Sequence, residues 1–91
     1  MNLEKNNIKE NLDQEQIQNL KKLINSGKIT EAEKKIRHLI LKHPKSFTLL
    51  NILGVILINQ NKLDEAIKNY IELIEIKPDF SEAYNNLATV H

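Results

Sequence analysis

The side chains that most often carry catalysis or bind metals are spread along this chain rather than grouped. The three histidines, His38, His43 and His91, do not have the spacing of a zinc motif. His38 and His43 are five positions apart, which places them on different faces of a helix. Cysteine is absent, which excludes disulfides, thiolate metal sites and a cysteine nucleophile. We therefore expect solvated histidines, no metal and no cofactor.

Phosphate binding and nucleophilic catalysis also lack the residues that they need. Gly27 and Gly54 are the only glycines, which is too few for a loop that cradles a phosphate. Ser26, Ser46 and Ser81 fall at expected turns or helix starts, where a serine hydroxyl bonds to the backbone. These residue types thus have structural explanations, and we predict that the protein is not an enzyme.

Charge and hydropathy argue against two classes of partner. The chain has 91 residues with 13 basic and 12 acidic side chains, and this near balance creates no strong field for nucleic acid or an anionic membrane. Its most apolar run, Phe47 to Ile58, is about 12 residues long, whereas a membrane-spanning helix needs roughly 20. The start of the chain is polar and lacks the apolar core of a secretory signal. We predict a cytoplasmic protein that binds neither nucleic acid nor membrane.

Apolar residues recur every three or four positions in five segments, and this period predicts five helices and no strand. Ile17, Leu20 and Ile24 form such a stripe in the first segment. The third segment, Phe47 to about Asn59, is apolar on nearly all sides, as expected for a helix that is packed on two sides. Residues 1–12 are rich in Asn, Lys and Glu, and we expect them to form a polar leader.

Helix breakers and capping residues separate these segments. Gly27 suits the left-handed position after a helix, and Pro44 and Pro78 disfavour the α conformation in the residue before them. We also predict side-chain caps at the helix starts, namely Asp13 with Gln16, Thr30 with Glu33, Ser46, Asp64, and Asp79 with Glu82.

The chain overlays itself when it is shifted by 34 residues. We place the repeated units at 13–46, 47–80 and 81–91, of which the last is incomplete. The match of the third copy begins at Tyr84, which falls on Leu50. The identical pairs that the shift brings together include Leu23 with Leu57, Lys28 with Lys62, Ala32 with Ala66, Leu39 with Leu73, and Pro44 with Pro78.

The middle unit carries the signature of a known repeat, in the positions Leu50, Leu53, Gly54, Leu57, Ala66, Tyr70 and Pro78. With this spacing the chain resembles the tetratricopeptide repeat (TPR) family over residues 13–91, after the leader at 1–12. The resemblance implies an all-α, TPR-type α-solenoid of helix–turn–helix repeats, with about five helices in two and a half repeats. Gly54 is expected where the two helices of a repeat meet closely, because a larger side chain would hold them apart.

The two end units depart from the family pattern. Gln16 and Asn19 occupy positions of the first unit where the family pattern has apolar residues. Either the outer face of this unit is solvated, or its two helices pack differently. The third unit has no second helix, so we expect Ala83 and Ala88 to lack a partner helix and Leu87 to be partly exposed. We therefore expect the N-terminal fragment of a longer TPR protein; the alternative is that the last helix is a cap.

In this family the first helix of each repeat lines a concave groove that holds peptides, and the resemblance implies the same here. An asparagine amide suits such a groove, because it can donate to and accept from an extended backbone. Two family variants match poorly, since Ile52 interrupts an asparagine ladder and Ile17 and Glu82 do not fit a clamp for a C-terminal carboxylate. The alternative is that the asparagines are ordinary exposed residues. The candidate peptide-binding residues are Lys21, Asn51, Val55, Asn59, Asn85 and Asn86.

Three functions are compatible with this reading. The first is a non-catalytic scaffold that binds a peptide or protein partner in the concave groove. The alternative is the N-terminal TPR module of a larger bacterial enzyme, of the sulfotransferase or glycosyltransferase type, whose catalytic domain lies beyond residue 91. The third is self-association through the open C-terminal repeat.

Overall fold

Helices make up most of the chain that the structure describes. The computed structural model describes residues 14–90, and no strand occurs within them. The predicted leader at 1–12, the predicted cap Asp13 and the last residue, His91, lie outside the described residues. This all-α architecture confirms the predicted fold class. The helices are α1 (Gln14–Asn25), α2 (Ile29–Lys42), α3 (Phe47–Asn59), α4 (Leu63–Ile76) and α5 (Ser81–Val90).

The helices recur with the period seen in the sequence. α4 begins and ends 34 residues after α2, and α5 begins 34 residues after α3. α1 packs against α2 and α3 packs against α4, while α5 packs against both α3 and α4. Each described helix–turn–helix unit therefore rests on the next. The unit limits at 13–46, 47–80 and 81–91 remain predictions.

Two helix ends are closed by a residue with a left-handed backbone. Gly27, after α1, has a φ angle of 80°, and Asn61, after α3, has a φ angle of 60°. In both turns the amide of the following residue donates to the carbonyl of the third-last helical residue at 2.9 Å. This Schellman arrangement satisfies carbonyls that the helix end leaves unpaired. The sequence predicted it at Gly27, and Asn61 fills the equivalent position because asparagine tolerates positive φ better than most residues.

Only one of the predicted N-caps among the described residues is found. The Ser46 hydroxyl accepts a hydrogen bond from the backbone amide three residues on, at 3.1 Å, and begins α3. The predicted caps Thr30 and Asp64 are wrong, because both lie in the first turn of their helices. The N-cap residues are Lys28 and Lys62, without a side-chain cap bond. Each of these helices begins directly after a Schellman turn, which leaves no room for a separate capping residue.

The two prolines end their helices as predicted. α2 ends at Lys42 and α4 at Ile76, each two residues before a proline. The expected cap Asp79 is wrong, since the residues after the second proline form a turn and α5 begins only at Ser81. The Asp79 carboxylate instead lies 3.2 Å from the Lys77 ammonium, and this contact lowers the pKa of Asp79.

α3 is the central helix of the core. It packs against α2, α4 and α5, and its nearly uniform apolar sequence is explained by these contacts on several sides. Its buried residues are Leu49, Leu50, Ile52, Leu53, Gly54, Ile56 and Leu57.

Gly54 permits a very close contact in this core. A Cβ atom at this position would lie 2.2 Å from Cζ of Tyr70 and 2.5 Å from its hydroxyl oxygen. Tyr70 belongs to α4 and is fully buried, so its ring has little freedom to move away. The sequence correctly predicted a need for a small residue here. The atoms that require it belong to the aromatic ring of Tyr70.

The burial of side chains in the two end helices, α1 and α5, agrees with some of the expectations. Gln16 and Asn19 are exposed and Leu20 is fully buried, as a solvated outer face on α1 requires. At the other end Ala88 is exposed, and Leu87 is half-buried, as predicted. The prediction for Ala83 is wrong, because this residue is fully buried where α5 packs on the preceding helices.

A polar cluster joins α2 to the turn before α4. Glu33 accepts hydrogen bonds from Gln60 Nε2 and Arg37 Nε, both at 2.8 Å, and Lys62 Nζ lies 3.6 Å from its carboxylate. The Gln60 bond and then the Arg37 bond make the largest contributions to lowering the pKa of Glu33. Because its side chain is only 16% exposed, these contacts are partly shielded from solvent.

Gly54→Ala tests the contact with Tyr70. In an unobstructed helix this change would stabilise by roughly 0.5–1 kcal/mol, because alanine loses less backbone entropy. Here we expect the free energy of unfolding, measured in urea, to fall by about 1–3 kcal/mol, because the methyl group meets the Tyr70 ring. In Gly54→Ala/Tyr70→Leu the loss should be smaller than the sum of the single losses. Unchanged stability of Gly54→Ala would contradict the contact.

Glu33→Gln tests the polar cluster through pH. A carboxyl whose pKa is lowered by folding stabilises the protein above its unfolded pKa, and this stabilisation is lost as the pH falls through the folded pKa. We expect the melting temperature of Glu33→Gln to fall less than that of the unchanged chain between neutral pH and acid. Glu31→Gln, exposed in the first turn of the same helix, is the control for loss of charge. If both variants have the same pH profile, the cluster does not contribute.

Candidate peptide-binding surface

The two sides of α3 face different surroundings. Leu50, Leu53 and Leu57 recur along one side and lie between α2 and α4. Asn51 and Val55 point to the other side, because successive residues of a helix are about 100° apart. Both are half-buried, so they are accessible in part. α3 thus contributes to two separate surfaces.

Two asparagines meet on the Asn51 side. The Asn86 Nδ2 atom on α5 donates a hydrogen bond to the Asn51 Oδ1 atom on α3 at 3.1 Å. Both residues are half-buried, and the backbone carbonyl of Asn86 also accepts a hydrogen bond from the Thr89 hydroxyl at 2.7 Å. Each amide uses one of its polar atoms in the pair, and a primary amide has further donor and acceptor capacity beyond one bond. The pair connects helices of successive units.

The Tyr70 hydroxyl lies close to this pair. Tyr70 is fully buried, and its hydroxyl has no hydrogen-bond partner among residues 14–90. Burial raises the pKa of Tyr70 to about 12; the nearby Asn86 amide opposes the rise and the Glu82 charge adds to it. The hydroxyl therefore stays protonated at neutral pH.

The other candidate residues are not bonded to this pair. Lys21 is exposed on α1, Asn59 is exposed at the end of α3, and Asn85 is exposed on α5. Within residues 14–90 no hydrogen bond or ion pair joins any of them to the Asn51–Asn86 pair. The structure thus brings two of the six candidates into contact and leaves their part in binding a prediction.

One family comparison identifies the repeat. Residues 54–91 match a family model described as TPR repeat. This part of the chain therefore carries a tetratricopeptide (TPR) repeat. TPR repeats generally mediate protein–protein interactions and are typically non-catalytic. No curated protein and no solved structure matches the chain.

Among residues 14–90 no group of histidine and acidic side chains is arranged to hold a metal ion. In the same range no helix combines the length and the hydropathy needed to cross a bilayer.

Sequence reasoning missed two buried polar groups of the TPR core. Asn69 is 7% exposed, and its Nδ2 atom donates to the Leu50 carbonyl at 2.6 Å, which links α4 to α3. The signal for Asn69 was available, because it stands on the same helical stripe as Ala66 and Leu73. The unpaired hydroxyl of Tyr70 had no sequence signal, because its surroundings depend on the angle between helices.

Tyr70→Phe tests whether this hydroxyl is unpaired. Removing it leaves no partner group unsatisfied, so we expect the free energy of unfolding to stay within about 0.5 kcal/mol or to rise. Tyr84→Phe is the control, because the Tyr84 hydroxyl donates to the Pro78 carbonyl at 2.7 Å. A loss above about 1 kcal/mol in Tyr70→Phe would indicate a hydrogen bond to the hydroxyl.

Proposed function

We propose that this TPR chain is a non-catalytic scaffold that binds an extended segment of a partner protein along the side of α3 that carries Asn51. The hydrogen-bonded pair of Asn51 and Asn86 is the observation that carries this proposal. It places two primary amides side by side, half-buried, on helices of successive units. An extended backbone presents alternating donors and acceptors, and amides can match both.

Most polar side chains on this side of α3 and α5 are uncharged, which supports a ligand segment that is held through its backbone. They include Thr48, Asn51, Asn85, Asn86 and Thr89, while the Glu82 charge lies near the Tyr70 hydroxyl. Hydrogen bonds from such groups position a peptide backbone without selecting a charged side chain. Specificity would then come from neighbouring apolar contacts.

Lys21 and Asn59 would contact the partner beyond the central pair. Both are exposed, so each can reach a ligand without rearrangement of the core. Val55 is half-buried and uncharged, and it offers an apolar contact near the centre. The cytoplasmic location and the bacterial source belong to the same proposal. The binding role is also the same if these repeats orient a substrate for a catalytic domain of a longer bacterial enzyme.

The experiment selects ligands first and then tests the surface. Peptides selected from a random library on the 91-residue chain would be titrated against Asn51→Ala/Asn86→Ala. We expect the Kd to rise about 5- to 150-fold, because two hydrogen bonds of roughly 0.5–1.5 kcal/mol each are lost.

His38→Ala/Lys68→Ala is the matched control, because both residues line the opposite side of the core. This variant should keep the Kd of the unchanged chain. Equal Kd values for all three proteins would remove Asn51 and Asn86 from the binding surface. A loss confined to the control would place binding between α2 and α4.

A further inference from the structure

A second surface lies on the opposite side of the core from the Asn51–Asn86 pair. A groove of about 700 Å³ runs between α2 and α4. Its floor is formed by Leu50, Leu53 and Leu57 of α3, and Ile40 and Leu41 of α2 form part of one wall. We call it the α2/α4 groove. Its lining is more apolar than most solvated surface.

Leu41 stands at the edge of this groove with its side chain in solvent. It is 79% exposed, more than any other large apolar residue among those described. An isolated exposed leucine is common on protein surfaces. Here, however, the leucine and an apolar groove are on the same face of the chain. A projection and a recess on one face are what a twofold symmetric interface uses, because each copy presents both.

The two helices that form the walls carry opposite net charge. α2 has four basic and two acidic side chains, whereas α4 has four acidic side chains and one basic one. Of these charged side chains, Arg37 on α2 and Glu65, Lys68 and Glu72 on α4 line the groove itself. One pair already spans the groove, since Arg37 Nη2 lies 3.5 Å from the Glu65 carboxylate. Lys34 and Lys42 on α2, and Glu72 on α4, are exposed and take part in no ion pair within residues 14–90. These charges are available to a partner.

We infer that the α2/α4 groove is an interface between two copies of this chain. A twofold axis parallel to the groove sets α2 of each copy on α4 of the other, so that basic and acidic helices face each other twice. The same rotation sets Leu41 of each copy against α4 of the partner, beside its groove. An axis across the groove would set α2 on α2, which like charge disfavours.

The size of the face fits a weak or moderate dimer. A standard interface covers about 800 Å² on each partner, which is roughly one seventh of the 5923 Å² surface of this chain. Two 14-residue helices and the groove between them can supply a large part of that area. The interface leaves the Asn51 side of α3 uncovered, so it is compatible with peptide binding there. It also differs from self-association through the open end of α5, which the sequence suggested.

Sedimentation equilibrium of the 91-residue chain tests the proposal. We expect a monomer–dimer equilibrium that weakens as salt is added, because the facing helices attract each other through exposed charges. Leu41→Asp should raise the dimer Kd at least tenfold, since each dimer loses two buried leucines. This variant should fold normally, because Leu41 is 79% exposed, and circular dichroism checks that it does.

Two control variants place the same charge elsewhere. Ile71→Asp is on α4 outside the groove lining and is 48% exposed; Tyr84→Asp is on α5 and is 46% exposed. Both should keep the dimer Kd of the unchanged chain. A strictly monomeric chain would overturn the inference, and so would dimers that survive Leu41→Asp but dissociate in Tyr84→Asp.

A mixing experiment tests the pairing of the walls. Lys34→Glu/Lys42→Glu reverses charges on α2, and Glu72→Lys/Glu75→Lys reverses charges on α4. Each double variant alone should be monomeric, whereas their mixture should form a heterodimer at concentrations where neither self-associates. Failure of the mixture to associate would overturn the proposed pairing of α2 with α4.

Discussion

The packing of Tyr70 against Gly54 is the contact on which the rest of the structure depends. The ring occupies the space that a Cβ atom of residue 54 would fill, so α3 and α4 can approach closely only with glycine there. This approach sets the position of α4, and α5 then packs against both helices. Asn86 on α5 comes near the Tyr70 hydroxyl and bonds to Asn51 on α3. The packing of Tyr70 against Gly54 thus influences which side chains meet on the polar surface.

The central helix also explains how a small chain can present two distinct surfaces. α3 is buried on several sides, and its few polar positions are therefore confined to the side that carries Asn51. The leucines on its other side form the floor between α2 and α4. A ligand on the first surface and a second copy on the other would not compete for the same residues. Binding and self-association can then be varied separately, which a scaffold that gathers partners could use.

Much of the fold was predictable because its signals are local. Apolar spacing located the helices, and Gly27 and the two prolines marked helix ends. Gly27 does so because it adopts positive φ easily, and a proline does so because it disfavours the α conformation in the residue before it. The caps Thr30 and Asp64 were mispredicted because a preceding Schellman turn leads straight into each helix. Burial of Ala83 was also missed, since it depends on how α5 settles against α3 and α4. The sequence predicted which side of α3 carries the candidate residues. It did not predict which of these residues contact each other.

The sequence by itself determined the helices, their period and the TPR signature of the repeat, because these follow from residue type and spacing along the chain. Only the tertiary structure decided that Asn51 meets Asn86, that Asn69 bonds to the Leu50 carbonyl and that the Tyr70 hydroxyl is buried without a partner. Helical periodicity says which face a side chain occupies. Which side chains meet across two faces depends on the distance and angle between helices, and these are set by packing contacts such as that of Tyr70 with Gly54.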